Sequence, residues 1–242
     1  MEEYASPRDF NEKVENFWYH YKWHTIAAIV ALFVIIISTV QMCSKESYDT
    51  YILYAGTYEI KRTSSDGDVS EYQKVRSAFK NVCEDFDNDK NVNPALLNLY
   101  VLNSEEAKEI LNGQEGYEIN ESLIREDTET LKQNILYGEY FVCLLSERLF
   151  LEYEEAYGGA LFAPIEPYTH QGESYRYASE RGIYLNSTDF GALPEMEGFP
   201  EDTVICIRAL SDVSTHFSEK ENTKQFERAE VVITNILAPK SK

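Results

Sequence analysis

From Thr25 to Met42 the chain reads TIAAIVALFVIIISTVQM, 18 residues without a charge. The nearest formal charges are Lys22 and Lys45. A helix across that interval covers roughly 33 Å, enough for a hydrocarbon core of about 30 Å. Hydrophobes surround its whole circumference, unlike the one-sided stripe of a surface helix. A cleaved signal peptide fits less well, because five acids and three bases precede the run and no A-x-A-like site follows it. Cys43 invites a lipid anchor, but Met42 stands where that pattern wants a small residue. The expectation is a spanning helix whose partner is the lipid bilayer, through residues 25–42.

The flank before the run holds Phe17, Trp18, Tyr19, Tyr21 and Trp23, with Lys22 among them. Rings with polar tips gather at membrane–water boundaries, and Lys snorkels there. Trp18, Tyr21, Lys22 and Trp23 are therefore the expected interface residues. Lys13 and Lys22 on the N-side against Lys45 on the C-side favour a cytoplasmic N-terminus and an extracellular C-terminal domain. The organisation expected is a cytoplasmic tail at 1–22, a transmembrane helix with its aromatic flank at 23–44, and one domain at 48–242.

Charge narrows the classes open to that domain. The 242 residues carry 22 basic and 42 acidic side chains, a net charge of −20. Only three of the bases and five of the acids precede the span, so the acidity belongs to the domain. Nucleic acid is excluded as a partner, since a polyanion needs a Lys/Arg footprint. The 43% hydrophobic content is too high for a disordered acidic chain, and four Cys are too few for a disulfide scaffold.

Periodicity predicts an alternation of strands and helices. Tyr51–Tyr54 reads as a buried strand, followed by a loop at Ser64–Asp68. Ser70 with Gln73 caps a helix whose apolar positions are Val75, Ala78, Phe79, Val82 and Phe86. Leu96–Leu102 is a second strand, and the long crossover makes the pair parallel. A short helix at Glu105–Leu111, a surface excursion at Gly116–Ser122 and a helix at Thr128–Tyr137 precede a third strand, Tyr140–Leu145. A helix from Ser146 to Tyr157 closes at Gly158-Gly159. An extended piece at Ala160–Ile165, strands at Gly182–Leu185 and Val204–Ala209, and an amphipathic helix ending near Leu237 complete an α/β sandwich.

Residues suited to chemistry are few. Asp85, Asp87 and Asp89 alternate as the oxygen ligands of a calcium loop do. Lys90 occupies the sixth place, where glycine belongs, and Leu96 the twelfth, so an acidic turn is the leading reading there. His170 and His216 lack metal-ligand neighbours, and neither a G-x-S-x-G elbow nor a Gly-rich phosphate loop occurs. No cofactor and no enzymatic activity are expected. Cys83, on a helix, and Cys143 and Cys206, on strands, read as buried thiols. Tyr168, Tyr175 and Tyr177, together with Tyr140, are the candidate contacts to a ligand or partner, because Tyr offers area and a polar tip at low entropic cost.

The run LKQNILYGEYFVCLLSERLFLEYEEAYGGALFAPI, Leu131–Ile165, resembles a recurring stretch of bacterial class 2 extracellular solute-binding proteins. Those carry a helix, a small turn, a strand ending near the ligand cleft, a helix, and a Gly-Ala-Leu segment. The opening βαβ unit from Tyr51 to Leu102 is similar as well. The chain also resembles single-pass proteins of Gram-positive anaerobes with a short aromatic tail, one span and a reduced domain. The resemblance implies one mostly parallel α/β domain like a reduced periplasmic-binding-protein lobe, since segment 48–242 is short for two lobes. The function expected is a membrane-anchored, non-enzymatic binding module for an envelope protein. The alternative is a tethered small-solute receptor feeding a transporter.

Overall fold

The structure is a computed structural model that describes residues 10–43, 47–63, 68–113, 119–210 and 219–239. Lys45, most of the Ser64–Asp68 loop, the first part of the Gly116–Ser122 excursion and His216 lie outside the described residues, and the end of that excursion is not loop, since the helix expected at Thr128 begins at Glu121. The chain divides into two units, Met1–Ser47 and Tyr48–Lys242.

Helix α1, Phe10–Cys43, is the whole of the described first unit save Ser47. Its 34 residues contain no Gly or Pro, so nothing stops the helix between the aromatic flank and the apolar run. The stretch long and apolar enough to cross a membrane is Phe17–Thr39, which takes in the aromatic flank and is shifted toward the N-terminus from the expected 23–44. Ile29, Phe33 and Ile36 are exposed around its circumference, as are Trp18, Tyr21 and Trp23. Phe17 stacks on Tyr21 one turn away, with centroids 5.2 Å apart.

The second unit is built on one six-stranded sheet. In chain order its elements are β1 (Thr50–Gly56), α2 (Glu71–Lys80), β2 (Pro94–Tyr100), α3 (Ser104–Gly113), α4 (Glu121–Tyr137), β3 (Val142–Ser146), α5 (Glu147–Ala156), β4 (Tyr177–Ser179), β5 (Gly182–Tyr184), β6 (Thr203–Ile207) and α6 (Glu219–Leu237). The strand order is β2-β1-β3-β6-β5-β4. β1 pairs in parallel with β2 and with β3, and Ile52 faces Leu96 on one side and Val142 on the other. β6, β5 and β4 continue the sheet by antiparallel pairs. Strands β1, β2, β3 and β5 run one way, so the sheet is mostly parallel in direction.

Crossovers decide the layers. The chain moves from β1 outward to β2, then back past β1 to β3. Right-handed crossovers in opposite directions put their helices on opposite faces. Tyr54 and Ile52 accordingly pack with Val75, Phe79, Val232 and Ile233 beneath α2 and α6. Leu53 and Ala55 pack with Leu131, Ile135, Leu149 and Phe150 beneath α4 and α5. The period-2 alternation of a strand buried on both faces is thereby divided between two cores.

Several local expectations are corrected. α2 stops at Lys80, where the Asn81 N–H turns back to the Ala78 and Phe79 carbonyls, so Val82, Cys83 and Phe86 lie beyond the helix. Cys83 is still buried, and its N–H donates to the Phe79 carbonyl at 3.0 Å. The piece at Ala160–Ile165 is extended as expected and joins the sheet by a single bridge, Phe162 to Arg208. β4 escapes a periodicity reading because three residues carry no period. Cys143 and Cys206 are register partners on β3 and β6, both fully buried and both free thiols. The close of α5 is as expected, with Gly158 and Gly159 at φ 57° and 72°, a left-handed turn that glycine adopts without strain.

Arg208 is a buried cation without a carboxylate partner among the described residues. Its Nη1 donates to the Asn134 and Ile135 carbonyls at 3.2 and 3.3 Å, at the negative end of α4, and its guanidinium lies 4.1 Å over the Phe141 ring. Burial pushes its pKa down.

Phe150 stacks on Phe162 at 5.2 Å and is fully buried against the β5 and β6 backbone side of the sheet. Replacing it by Ala should cost about 3–5 kcal/mol, read as a lowered urea midpoint with an unchanged slope.

Candidate functional site

In a parallel α/β sheet the usual ligand crevice lies outside the carboxyl ends of the strands, where successive crossovers leave for opposite faces. Here that point is between β1 and β3. It is filled by the chain's own rings. Tyr54 meets Phe199 edge-on at 5.0 Å, and Tyr58 packs on the same ring at 5.6 Å. The Tyr54 hydroxyl accepts the Tyr58 N–H at 3.1 Å, and the Tyr58 hydroxyl donates to Glu71 at 3.1 Å. Burial first, then Glu71, pushes Tyr58 up to about 12. A Cβ on Gly56 would stand 2.8 Å from the Tyr54 hydroxyl, so glycine is what lets this plug close. Beneath it Ser146 and Thr203, register partners at the ends of β3 and β6, keep buried hydroxyls without a hydrogen-bond partner.

Asp202 borders the same corner, and its carbonyl accepts the Glu147 N–H that opens α5, at 2.9 Å. Burial foremost, with Glu147 and Glu106 near, pushes its carboxyl up against backbone bonds that favour the charge. A carboxyl whose folded pKa is raised costs stability above that pKa and nothing below its unfolded value. Asp202→Asn should therefore be more stable than the parent at pH 7, and the advantage should vanish below about pH 4 in denaturation curves taken across pH.

An open concavity lies elsewhere. Between α4 and α5 a cavity of about 400 Å³ is floored by Val101 and Leu102, just past β2, and walled by Leu131 and Leu136 of α4 and Leu149 and Tyr153 of α5. Its stripe on α5, Leu149, Tyr153 and Ala156, recurs at helical spacing beside the fully buried Phe150. Arg148 closes one end. Its Nε and Nη2 donate to Glu106 of α3 at 2.8 and 2.9 Å, and its Nη1 donates to Glu152 at 3.1 Å. Burial works against this cation, but the two carboxylates prevail and its pKa is raised. Tyr153 and Tyr157 stack nearly parallel, 12° apart with centroids at 6.3 Å. Burial, followed by Tyr157 and Glu152, pushes Tyr153 up to about 12. The site thus offers an apolar floor, neutral phenols and a fixed ion pair, a combination suited to binding. Sequence reading missed it because a groove belongs to two helices at once. The signal that was present is the α5 stripe running one residue wider than the core needs.

The tyrosines singled out from sequence do not converge. Tyr168 donates to Glu230 at 2.8 Å and Tyr175 to the Leu237 carbonyl at 2.6 Å, both strapping their segment to α6. Tyr177 lies exposed on β4 and meets Tyr175 edge-on at 6.4 Å. Tyr140 packs on Tyr51 at 5.7 Å at the amino ends of the strands.

The aspartates do cluster, in an altered set. Carboxylates of Asp85, Asp87 and the buried Asp49, which precedes β1, lie within 4.8 Å of one another. Asp89 instead accepts the Asn91 N–H at 2.7 Å. Asp85 accepts from Asp89 and Lys90, and Asp49 accepts from Phe86 and Asn93 at 2.7 Å each. Lys90, at φ 72°, takes the left-handed conformation that a calcium loop gives to glycine. Backbone N–H groups thus hold these carboxylates in place, the arrangement of the acidic-turn reading. Asp49→Ala should cost about 3 kcal/mol by stranding buried donors, and calcium or chelator should leave the thermal midpoint of either protein unchanged.

No protein-family model, no curated protein and no solved structure matches this chain.

Proposed function

We propose that the chain is a single-pass, membrane-anchored extracytoplasmic module that engages a protein partner in the cell envelope and performs no catalysis. α1 crosses the membrane with its N-terminus in the cytoplasm, its aromatic flank at the interface, and the α/β unit outside. The reading is supported by the length and apolarity of Phe17–Thr39 and by the lysine bias of its flanks. The observation that carries the binding role is the α4/α5 groove, an apolar concavity open on a domain whose strand-end crevice is plugged by Tyr54, Tyr58 and Phe199. A second reading, a tethered solute receptor feeding a transporter, draws support from the cavity volume, which falls within the roughly 300–1,000 Å³ of small-molecule sites.

A photo-crosslinking amino acid at Tyr157 in intact cells tests the proposal. A discrete protein adduct is expected there and none from the same group at Tyr58, and protease added outside should remove the domain. No adduct at Tyr157, with a small solute that raises the melting temperature by several degrees, would install the receptor reading instead.

A further inference from the structure

We infer that Cys143 and Cys206, free thiols in this structure, are joined by a disulfide in the mature protein. The inference rests on the reading that the α/β unit lies outside the membrane, where disulfides persist. Three observations carry it. The first is spacing. The two residues are direct partners in the antiparallel register of β3 and β6. In that same register the Arg208 N–H donates to the Phe141 carbonyl at 2.8 Å, and the Glu147 N–H to the Asp202 carbonyl at 2.9 Å. Bonds between directly opposed residues recur at every second pair, so Cys143 and Cys206 form a hydrogen-bonded pair with Cα atoms about 5.5 Å apart. That separation lies within the range a disulfide prefers. The Cys206 thiol already stands over its partner's backbone, donating to the Cys143 carbonyl at 3.7 Å. Bonding asks for a turn of the two side chains and a small approach of the strands at this rung.

The second observation is environment. Both side chains are fully buried on one face of the sheet, in the cluster that holds Leu145, Phe150 and Phe162. Their hydrogen bonds are weak ones to backbone carbonyls, at 3.7 to 3.9 Å. Burial foremost, and then the Cys143 thiol beside it, pushes the Cys206 thiol well above its usual range. The third is register. Every position of β3 and β6 is buried, so their apolar pattern does not tell one face from the other and does little to oppose a slip of one residue. Yet β6 joins β3 across 63 positions of chain, at the rung where the sheet passes from parallel to antiparallel pairing. A covalent bond there fixes the register that hydrophobicity leaves loose.

The oxidant is a second disulfide, carried by an envelope protein or a small molecule. One cysteine thiolate attacks it and forms a mixed disulfide. The other thiolate then attacks the cysteine sulfur of that intermediate, which closes the Cys143–Cys206 bond and releases the donor as two thiols. The cysteines give up two electrons and two protons, and the donor's sulfurs take up both. Because the folded pair is sealed from solvent as protonated thiols, the exchange precedes the closing of β6 on β3.

The test starts from intact cells making the full chain, quenched in acid and alkylated with N-ethylmaleimide without prior reduction. Mass spectrometry of the digest should find the Cys143 and Cys206 peptides linked, and separate after reduction. For the purified full chain in detergent, reduction in denaturant and refolding with reductant should lower the melting temperature by about 10 °C, and refolding with oxidised glutathione should restore it. Cys206→Ala should melt at one temperature under both regimes, whereas Cys83→Ala should respond as the parent does, which separates the cross-link from the cost of truncating a core thiol. Alkylation of both cysteines in cells, linkage of either to Cys43 or Cys83, or a parent melting temperature indifferent to reductant would overturn the inference. Added protease keeps the two readings apart: a domain that is digested from outside yet carries both thiols alkylated overturns the disulfide alone, and a domain that is spared overturns the location on which it rests.

Discussion

Strand β1 is paired in parallel along both edges and covered on both faces, and most of the architecture follows from that. Parallel neighbours require crossovers, so α2 must carry the chain to β2, and α3 with α4 must carry it back to β3. Because the two journeys run in opposite directions with one handedness, the helices are divided between the faces. The chain then spends its remaining strands closing the free edge of β3. β6, β5 and β4 do so by antiparallel pairing, though only β4 and β5 are joined by a tight turn.

Such a sheet normally creates a crevice and leaves it for a ligand. In this domain the aromatic plug of Tyr54, Tyr58 and Phe199 occupies it, and the concavity appears instead where α4 and α5 fail to meet over the sheet. Two helices packed on one face separate when the side chains between them are too small to bridge them. Ala156 and the turn after Val101 and Leu102 leave such a gap, and the Arg148–Glu106 pair holds α3 across its end. The groove is thus a by-product of layer packing, and its apolar floor is continuous with the core beneath.

Buried charge is handled by backbone more than by ion pairs. Arg208 is held by the carbonyl end of α4 and a ring. Asp49 gathers amide N–H groups from the turn after α2, and Arg228 of α6 donates to the Asp49 carbonyl at 2.8 Å and lies over Phe86. These contacts join segments distant in the chain, and each loses its purpose if one partner is truncated. The aspartate cluster belongs to this scaffold.

The long apolar N-terminal helix was legible in the sequence, because a continuous run of apolar residues needs no partner to become a helix. So were β1, β2, β3 and β6, which read as short apolar runs because both of their faces are buried, and the helices between them, whose apolar positions recur at helical spacing. The strand that was missed, β4, has three residues, and α2 ended early through a cap that periodicity does not register. The hydroxyl partners of Tyr168 and Tyr175, Glu230 and Leu237, were not legible, since they stand 62 positions away in the chain. Asp49 joined Asp85 and Asp87 for the same reason. Amino-acid order by itself determined the apolar N-terminal helix, the alternation of elements and the acidic composition, all consequences of local hydrophobicity and charge. Tertiary structure alone decided the antiparallel side of the sheet, the plugged crevice and the open groove, because each depends on which distant side chains meet and how much space they leave.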